Sequence, residues 1–293
     1  MSCTILIPTH DRPTLLRRAV ASALAACPQG GEVLVVDDAS APPAAEALAT
    51  VGDPRLRVIR NQGPRGASGA RNHGVAATRH ELVFFLDDDD EILPDYCDRI
   101  IASAAQGADY GFAPIALRIG DAAPVFPPAG KSGLLGGDTP LRKRLAATSA
   151  GFWIHRAAYL GAGGLDPEQV VDEDTDLCCR LVAAGRCAYH SGTPGTVVSR
   201  ARTAGAEAGQ LTGASNTPAG AACYRRTYLR NWPALAHLRG ARWFLLARYL
   251  RRAAKASGIR PALAMLREER PAWFAAAGLV FLGVKSLSAQ RRR

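Results

Sequence analysis

Five consecutive acidic residues, Asp87 to Glu91, come directly after the apolar segment LVFFL. Adjacent carboxylates repel one another unless a cation or solvent screens them, so a solvated loop is one interpretation. The other is a binding site, because ligands of open α/β sheets bind beyond the carboxyl ends of the strands. Alternate carboxylates such as Asp87 and Asp89 can converge on one divalent ion, and Mg²⁺ or Mn²⁺ takes hard oxygen ligands that it commonly shares with substrate phosphates. The run therefore predicts a metal and diphosphate site.

Polar residues also follow two other apolar segments. Asp37 and Asp38 come after Glu32–Val36, and a carboxylate there can accept a hydrogen bond from a uracil ring or bond a ribose. The alternative is a local role, as a helix N-cap or an Asx-turn. Thr9 opens another polar cluster after Thr4–Ile7. Because three strand ends carry such clusters, we favour one shared binding edge.

Arg71 lies one turn inside a predicted helix, after the glycine-rich segment 61–69. A guanidinium group at this position can pair with a diphosphate or with the Asp run. The glycines can cradle a phosphate, but they more simply make a turn and a helix start. Arg71 is therefore a candidate site residue, with both partners left open.

A second acidic cluster, Asp172-Glu173-Asp174-Thr175-Asp176, opens another predicted helix. One interpretation is N-terminal capping, since the helix dipole favours acidic residues in the first turn. The other is catalysis, because one carboxylate can act as a general base and take the proton of a hydroxyl nucleophile within hydrogen-bond reach. Local sequence leaves both open.

The elements that position these groups alternate between two patterns. Short aliphatic runs predict buried strands, and segments with apolar residues on one face predict helices. This alternation predicts an α/β fold with a mostly parallel open sheet and helices on both faces. The predicted strands are Thr4–Ile7, Glu32–Val36, Leu56–Ile59 and Leu82–Leu86, and the predicted helices are Thr14–Ala26, Gly66–Thr78, Pro94–Ala105 and Glu173–Ala184.

The composition is that of a globular protein, with 48% hydrophobic and 21% charged residues in a chain of 293. It excludes a disordered chain, a collagen-like fibre and a small disulfide scaffold. The net charge of +10 is unevenly distributed, since residues 221–293 hold 16 Lys and Arg but only two acidic residues. We expect a ligand-binding body over residues 1–220 and a basic, largely helical extension over residues 221–293. Glycine and proline predict a mobile loop over the site at Gly120–Pro140, and Thr203–Gly220 a second flexible segment.

Within the extension, Pro233–Ala256 is predicted as a helix that mixes apolar, aromatic and basic residues. Such a helix suits an anionic membrane surface. The uncharged stretch Pro271–Val284 could dip into the same surface. The alternative is a helical hairpin packed on the body, with solvated arginines. Nucleic acid is not an expected partner, because no DNA- or RNA-binding motif accompanies the charge.

The cysteines and the chain start suggest a location. Seven cysteines are an odd number without a C-x-x-C pair, which indicates reduced, mostly buried thiols. The first residues lack the basic start of a signal peptide, and the longest uncharged run has 14 residues, fewer than the roughly 18 of a spanning helix. We expect a cytoplasmic protein, peripheral on the inner face of the plasma membrane if the extension binds lipid.

Five motifs follow one another along the chain: Thr4–Pro13, Glu32–Ser40, Gly69–Gly74, Phe85–Asp90, and Gly163–Asp166 with Glu173–Leu181. Together they resemble family-2 glycosyltransferases over residues 3 to about 200. The resemblance implies a GT-A-type fold and inverting transfer of a sugar from a nucleotide-diphospho-sugar, with UDP-sugar favoured, to a hydroxyl acceptor that could be lipid-linked. It also implies a Mn²⁺ or Mg²⁺ cofactor, and suggests envelope polysaccharide or glycolipid synthesis.

Motif position then implies individual roles. Thr9 with Asp37 or Asp38 would hold the nucleobase and ribose, and Arg71 would lie near the nucleotide. Asp87 and Asp89 match the D-x-D pattern, one touching the ribose or sugar and the other the metal ion. Because the run is all Asp, the metal ligand stays open between Asp87, Asp88 and Asp89, with Asp88 also counted on the nucleotide side. Asp174 matches the catalytic base.

Two other functions compete with this one. Asp87-Asp88-x-x-Glu91 mimics the aspartate-rich motif of terpenoid synthases, but those enzymes are all-helical and LVFFL predicts a strand. A non-catalytic membrane- or nucleic-acid-binding protein on a degenerate transferase body is the second alternative. The intact carboxylates at Asp87, Asp89 and Asp174 argue against it.

Overall fold

The computed structural model describes residues 2–104, 107–200, 211–258 and 266. In this part of the chain every strand and helix predicted up to α4 is present, and the structure adds α2 and β5, which were not predicted. The strands are β1 Cys3–Thr9, β2 Glu32–Asp37, β3 Leu56–Arg60, β4 Leu82–Phe85, β5 Glu91–Ile92, β6 Tyr110–Phe112, β7 Ile115–Ile119, β8 Gly133–Leu135, β9 Trp153–His155, β10 Ala188–His190 and β11 Thr196–Arg200. The helices are α1 Pro13–Ala26, α2 Ala44–Ala47, α3 Ala67–Ala77, α4 Tyr96–Ala104, α5 Arg156–Gly161, α6 Glu173–Ala183, α7 Pro218–Asn231 and α8 Ala241–Ser257.

The main sheet has eight strands in the order β3-β2-β1-β4-β9-β6-β10-β8. Strands β1 to β4 pair in parallel, so their carboxyl ends meet at one edge. Strand β9 enters antiparallel between β4 and β6, which the sequence did not predict. A second sheet, in the order β5-β11-β7, lies beside the first. The predicted mostly parallel α/β sheet is confirmed.

Alternating side chains of β1 face two different cores. Ile5 and Ile7 pack with buried residues of α1 and α4, whereas Leu6 packs with α3, α5 and α6. Helix α3 lies close to the sheet because Gly74 has no side chain: a Cβ there would lie 2.3 Å from Leu6 Cδ1. This close approach fixes the height of α3, and therefore of Arg71, above the strand ends.

The prediction that segment Gly120–Pro140 forms a loop over the site is wrong. Segment Gly120–Pro140 contains β8, which pairs antiparallel with β10 at the far edge of the sheet. It contributes to neither of the two cavities described below. Its glycines and prolines break the helical and strand patterns, but they say nothing about which edge of the sheet the segment follows.

The C-terminal helices differ from the prediction in their bounds. The predicted helix Pro233–Ala256 begins only at Ala241, since Gly240 adopts φ +76° and residues 232–240 form turns. An unpredicted helix, α7, precedes it. Its start has a recognisable signal, because the Thr217 side chain accepts a hydrogen bond from the Gly220 N–H and Pro218 follows at the first helical position.

Helices α7 and α8 pack against each other and against the body. Apolar residues of α8, among them Leu246 and Leu250, are buried in a third core that also contains Val171 and Cys179. For residues 218–258 the structure therefore corresponds to the helical hairpin packed on the body. Segment 203–210 and the stretch Pro271–Val284 lie outside the described residues. No helix in the described ranges has the length and apolar character needed to cross a membrane.

Six of the seven cysteines are buried and none forms a disulfide.

Candidate active site

A cavity of about 470 Å³ opens at the carboxyl ends of β1, β2 and β4; we call it the strand-end cavity. The first turn of α6 closes one side of it. This cavity brings together every residue predicted for the site except Asp37. The predicted residues that line it are Thr9, Asp38, Arg71, Asp87, Asp88, Asp89 and Asp174.

Three carboxylates of the acidic run converge. One oxygen from each of Asp87, Asp89 and Asp90 lies within 4.8 Å of the others. The run forms a turn, in which the Asp90 N–H donates to the Asp87 carbonyl at 3.1 Å, and this turn returns Asp90 to the side of Asp87. Reasoning from alternate residues missed Asp90, because alternation holds along a strand and the strand ends at Phe85.

The electrostatics of these carboxylates fit a divalent cation. Burial, and then the charge of Asp87, raise the pKa of Asp90 to about 8. The same two causes raise the pKa of Asp89. Negative charge is therefore concentrated beyond what the neighbouring arginines neutralise. The ligand set is made of hard oxygens, which suits Mg²⁺ or Mn²⁺.

Asp88 points to a different set of partners. Its carboxylate accepts hydrogen bonds from Thr9 Oγ1 at 2.7 Å and Arg12 Nη1 at 3.0 Å. It is buried and ties the end of β4 to the end of β1, and it does not belong to the converging carboxylates. Arg12 also pairs with Asp89 at 3.4 Å. Arg12 was not among the predicted site residues, although it stands in the polar cluster after β1.

Arg71 reaches the acidic run from α3. Its Nη2 donates to Asp87 Oδ1 at 2.5 Å, and its side chain is only 5% exposed. Two partners were considered for Arg71 from the sequence, a diphosphate and the Asp run. In the structure Arg71 contacts the Asp run. The buried Nε of Arg71 has no hydrogen-bond partner among the described residues, so the guanidinium group retains a donor beside the cavity.

The two acidic residues after β2 have different surroundings. Asp37 accepts hydrogen bonds from the Ser40 and Ala44 N–H groups and from Arg60. Burial raises its pKa, but these bonds outweigh burial and the net pKa is lowered. It does not line the cavity, and it matches the local interpretation of this position. Asp38 lines the cavity, and its oxygens accept from Asn61 Nδ2 at 2.8 Å and the Gly66 N–H at 2.7 Å.

Asp174 lies in the first turn of α6. Its Oδ1 accepts from the Thr175 N–H at 2.5 Å, and no described residue hydrogen-bonds to its Oδ2. Burial, and then the charge of Asp172, raise its pKa to about 6. Burial and the Asp174 charge raise the pKa of the neighbouring Glu173 to about 7. With a pKa of about 6, the Asp174 carboxylate is ionised at neutral pH and basic enough to accept a proton.

A second cavity of about 450 Å³ lies on the C-terminal helices; we call it the helix cavity. It shares Ala147, Glu173 and Asp174 with the strand-end cavity. The rest of its wall comes from two 3-10 turns, Leu141–Lys143 with the residues after it and Leu211–Asn216, from the segment before α6 and its first turn, and from helices α7 and α8. Its remaining lining residues are Arg142, Leu145, Ala146, Val170, Val171, Asp172, Thr175, Ser215, Tyr224, Phe244, Arg248 and Arg252.

Helix α8 supports the start of α6 through Arg248. Its Nη2 donates to Asp172 Oδ1 and to Thr175 Oγ1, the latter at 2.9 Å. Asp172 is buried and has a positive φ of +66°, a conformation that costs energy in a residue with a side chain. The ion pair therefore holds the backbone turn that leads directly to Asp174.

Comparison with known proteins identifies relatives for this arrangement. Residues 4–159, more than half of the chain, match the family model described as Glycosyl transferase family 2. The chain is 40% identical over 106 residues to the succinoglycan biosynthesis protein ExoO of Rhizobium meliloti, covering 36% of this chain and 30% of that protein. It is 30% identical over 202 residues to a pre-mycofactocin glycosyltransferase of Mycobacterium tuberculosis, covering 62% and 39%. The chain spans about a third of the length of the curated relatives it matches.

Solved structures share the fold at low sequence identity. S. aureus TarS, residues 1–349, in complex with UDP-GlcNAc matches with a TM-score of 0.63 and 16% identity, covering 87% of this chain and 73% of that one. GalNAc-T7 with UDP, GalNAc and Mn²⁺ matches with a TM-score of 0.60 and 15% identity, covering 78% and 48%. These likenesses agree with the architecture expected from the sequence motifs. The chain therefore belongs to glycosyl transferase family 2 and has a GT-A fold.

Proposed function

We propose that this protein is a metal-dependent, inverting glycosyltransferase that moves a sugar from a nucleotide-diphospho-sugar to a hydroxyl acceptor. One observation carries the proposal: Asp174 lines both cavities, so a single carboxylate can face a donor in one and an acceptor in the other. UDP-sugar is the favoured donor. Solved relatives of the same fold contain UDP-GlcNAc or UDP, and one also contains Mn²⁺.

The strand-end cavity is assigned to the donor. Asp87, Asp89 and Asp90 would hold Mn²⁺ or Mg²⁺, since their oxygens converge. When bound, the ion supplies positive charge that stabilises the departing diphosphate. Arg71 lies beside the same carboxylates and offers a further donor to phosphate oxygens. Asp38 and Thr9 line the part of the cavity nearest β1 and β2, where the nucleoside would lie.

The chain's own chemistry then centres on Asp174. The carboxylate accepts the proton of the acceptor hydroxyl as that oxygen attacks the anomeric carbon. A new carbon–oxygen bond forms, the bond from the anomeric carbon to the diphosphate oxygen breaks, and its electron pair leaves with the nucleoside diphosphate. Attack opposite the leaving group inverts the anomeric centre. The raised pKa of Asp174 makes it a stronger base than an ordinary aspartate.

The acceptor is proposed to be a growing envelope saccharide. One relative is a succinoglycan biosynthesis protein, and another is a Campylobacter jejuni glucosyltransferase named for an undecaprenol-diphosphate-linked substrate. A lipid-linked acceptor would place the enzyme at the cytoplasmic face of the membrane. We propose this peripheral location for the protein.

Membrane contact through residues 221–293 stays a prediction, and within the described helices it no longer has an exposed apolar face of α8 to support it. The apolar face of α8 is buried in the protein, so contact with anionic lipid by the described helices would depend on exposed basic side chains such as Arg251 and Lys255. Co-sedimentation of the full chain with anionic and with neutral vesicles tests this. Equal pelleting with both would contradict an electrostatic contact.

A thermal-shift screen tests the donor assignment. UDP and UDP-sugars with Mn²⁺ should raise Tm in the wild type, since a ligand at about 100 times its Kd stabilises by roughly 2.7 kcal/mol. Asp89→Asn should lose the Mn²⁺-dependent part of the shift. Asp98→Asn is the matched control, because Asp98 is exposed on α4 away from both cavities. A shift that is independent of Mn²⁺ in every variant would overturn the metal site.

A further inference from the structure

The helix cavity combines features that select one class of acceptor. It meets the strand-end cavity at Ala147, Glu173 and Asp174, and it shares no other lining residue with that cavity. Under the proposed function, on which this inference rests, a hydroxyl that reaches Asp174 from this side belongs to the acceptor. The chemistry of the remaining wall then indicates what else the acceptor carries.

Positive charge dominates the part of this wall that is distant from Asp174 in the sequence. Arg248 is neutralised by Asp172. Arg142 and Arg252 have no carboxylate partner within the described ranges, and Arg252 donates only to the Asn216 side-chain oxygen at 3.1 Å. Burial and the charges of Arg248 and Arg252 lower the pKa of adjacent Arg251. Helix α8 thus concentrates guanidinium groups that local carboxylates do not balance.

Aromatic rings contact two of these guanidinium groups, those of Arg248 and Arg252. The Arg252 guanidinium lies 5.1 Å from the centre of the Tyr224 ring, and that of Arg248 lies 5.4 Å from the same ring. Arg248 also lies 5.8 Å from the centre of the Phe244 ring. Cation–π contacts of this kind favour a fixed orientation. Less side-chain freedom is then lost when an anion binds.

The carboxylates of the cavity set the direction of binding. Glu173 and Asp174 lie where the two cavities join, and they would repel an anion placed beside them. We propose that the helix cavity binds an acceptor saccharide that carries an oxyanion, a phosphate or a carboxylate. Its reacting hydroxyl lies at Asp174, and its anionic group lies at Arg142 and Arg252. Guanidinium groups bind both kinds of oxyanion in paired hydrogen bonds.

Equilibrium binding to the full chain tests this proposal. The probes are a monosaccharide linked by diphosphate to a short polyprenyl chain, an octyl glucuronide and a neutral octyl glucoside, each with and without UDP and Mn²⁺. At least one charged probe should bind about tenfold more tightly than the neutral one, as charge-assisted hydrogen bonds predict. Preference for the diphosphate or for the glucuronide identifies the anion. Equal affinity for all three probes would overturn the proposal.

Variants locate the effect. Arg142→Gln combined with Arg252→Gln should remove the preference for charged probes, whereas Arg239→Gln, an exposed arginine outside both cavities, should keep it. An unchanged preference in the double variant would refute the assignment. If that variant does not fold, a salt series on the wild type replaces it: 0.5 M NaCl should weaken the charged probes and spare the neutral one.

The two proposals fail separately. If UDP with Mn²⁺ binds but the neutral glucoside matches the charged probes, only the anionic acceptor is wrong. If the charged probes bind through Arg142 and Arg252 but no nucleotide binds, the anion site stands and the glycosyltransferase assignment fails.

Discussion

The two cavities that meet at Asp174 differ in their balance of charged residues. Seven acidic residues and three arginines line the strand-end cavity, and most of them follow directly on β1, β2 or β4. In the helix cavity three arginines face three acidic residues, and they come from elements more than 100 residues apart in the chain. One wall suits a cation with a diphosphate, and the other suits an oxyanion. Asp174, the proposed base, lies where the two meet.

The charge of the chain follows the same division. The basic C-terminal helices neutralise carboxylates of the body: Arg230 pairs with Asp166 at 2.8 Å and with Asp176 at 3.0 Å, and Arg248 pairs with Asp172. Part of the positive charge expected for a membrane surface is therefore used inside the protein. The net charge of a segment says little about its partners until its internal ion pairs are known.

The largest effect is expected where the cavities join. Asp174→Asn should lower kcat about a thousandfold, since a positioned general base contributes roughly 10²–10⁴-fold. UDP binding with Mn²⁺ should be unchanged, because the three carboxylates proposed to hold the metal, and Arg71 beside them, are intact. Initial rates and calorimetry measure the two quantities. Wild-type turnover in Asp174→Asn, beside an unaffected Asp98→Asn control, would show that Asp174 is not the general base.

The next effect tests whether α8 is part of the catalytic body. Arg248→Gln leaves the buried Asp172 carboxylate without its ion-pair partner, and it should lower the free energy of unfolding by about 2 kcal/mol. The figure lies below the range for fully buried pairs because the Arg248 side chain is 27% exposed. Urea denaturation measures it. Arg239→Gln should change the unfolding free energy little, and coincident curves for both variants would contradict the supporting role.

The pH dependence of the rate tests Asp174, which lies where the two cavities meet. The raised pKa of Asp174, about 6, means that the base is ionised above that pH and protonated below it. The rate should therefore fall about tenfold per pH unit below about 6, because one proton inactivates the base. Asp174→Asn should show no such fall in its residual rate. A wild-type rate that is level between pH 4 and 7 would be incompatible with this base.

The smallest effect comes from an exposed ion pair. Arg226 on α7 pairs with Glu168, and their side chains are 40% and 78% exposed. It also pairs at 3.4 Å with Asp166, which keeps Arg230 as a partner at 2.8 Å when Arg226 is replaced. Arg226→Gln should lower the free energy of unfolding by no more than about 0.5 kcal/mol, because water screens such pairs. Coincident urea curves for Arg226→Gln and Arg248→Gln would show that the exposed and the buried ion pair contribute equally to the free energy of unfolding.

Sequence reasoning succeeded where chemistry and order along the chain coincide. The acidic run follows β4 directly, and parallel pairing brings the ends of β1 and β2 beside it, so Thr9, Asp38 and Asp87 could be grouped without coordinates. The same reasoning could not separate Asp37 from Asp38. Which of two neighbours faces the cavity depends on the turn after β2, and the Ser40 and Ala44 N–H groups take up Asp37.

The helix cavity could not be predicted in this way. Its arginines are separated by about a hundred residues, and no local pattern joins Arg142 to Arg252. The sequence left the helix predicted over Pro233–Ala256 open between a membrane surface and packing on the body, because its apolar stripe suits either a lipid surface or a protein core. Only packing against Val171 and Cys179 decides between them. The Thr217-Pro218 start of α7 was legible in the sequence and was missed.

Steady-state kinetics with donor and acceptor varied separately test the central claim, that the two cavities divide the two substrates. The comparison uses Asp38→Asn in the strand-end cavity and Arg252→Gln in the helix cavity. Asp38→Asn should raise KM for the nucleotide-sugar about tenfold and leave KM for the acceptor unchanged, and Arg252→Gln should do the reverse. If both variants raise the same KM, the two cavities do not divide the two substrates.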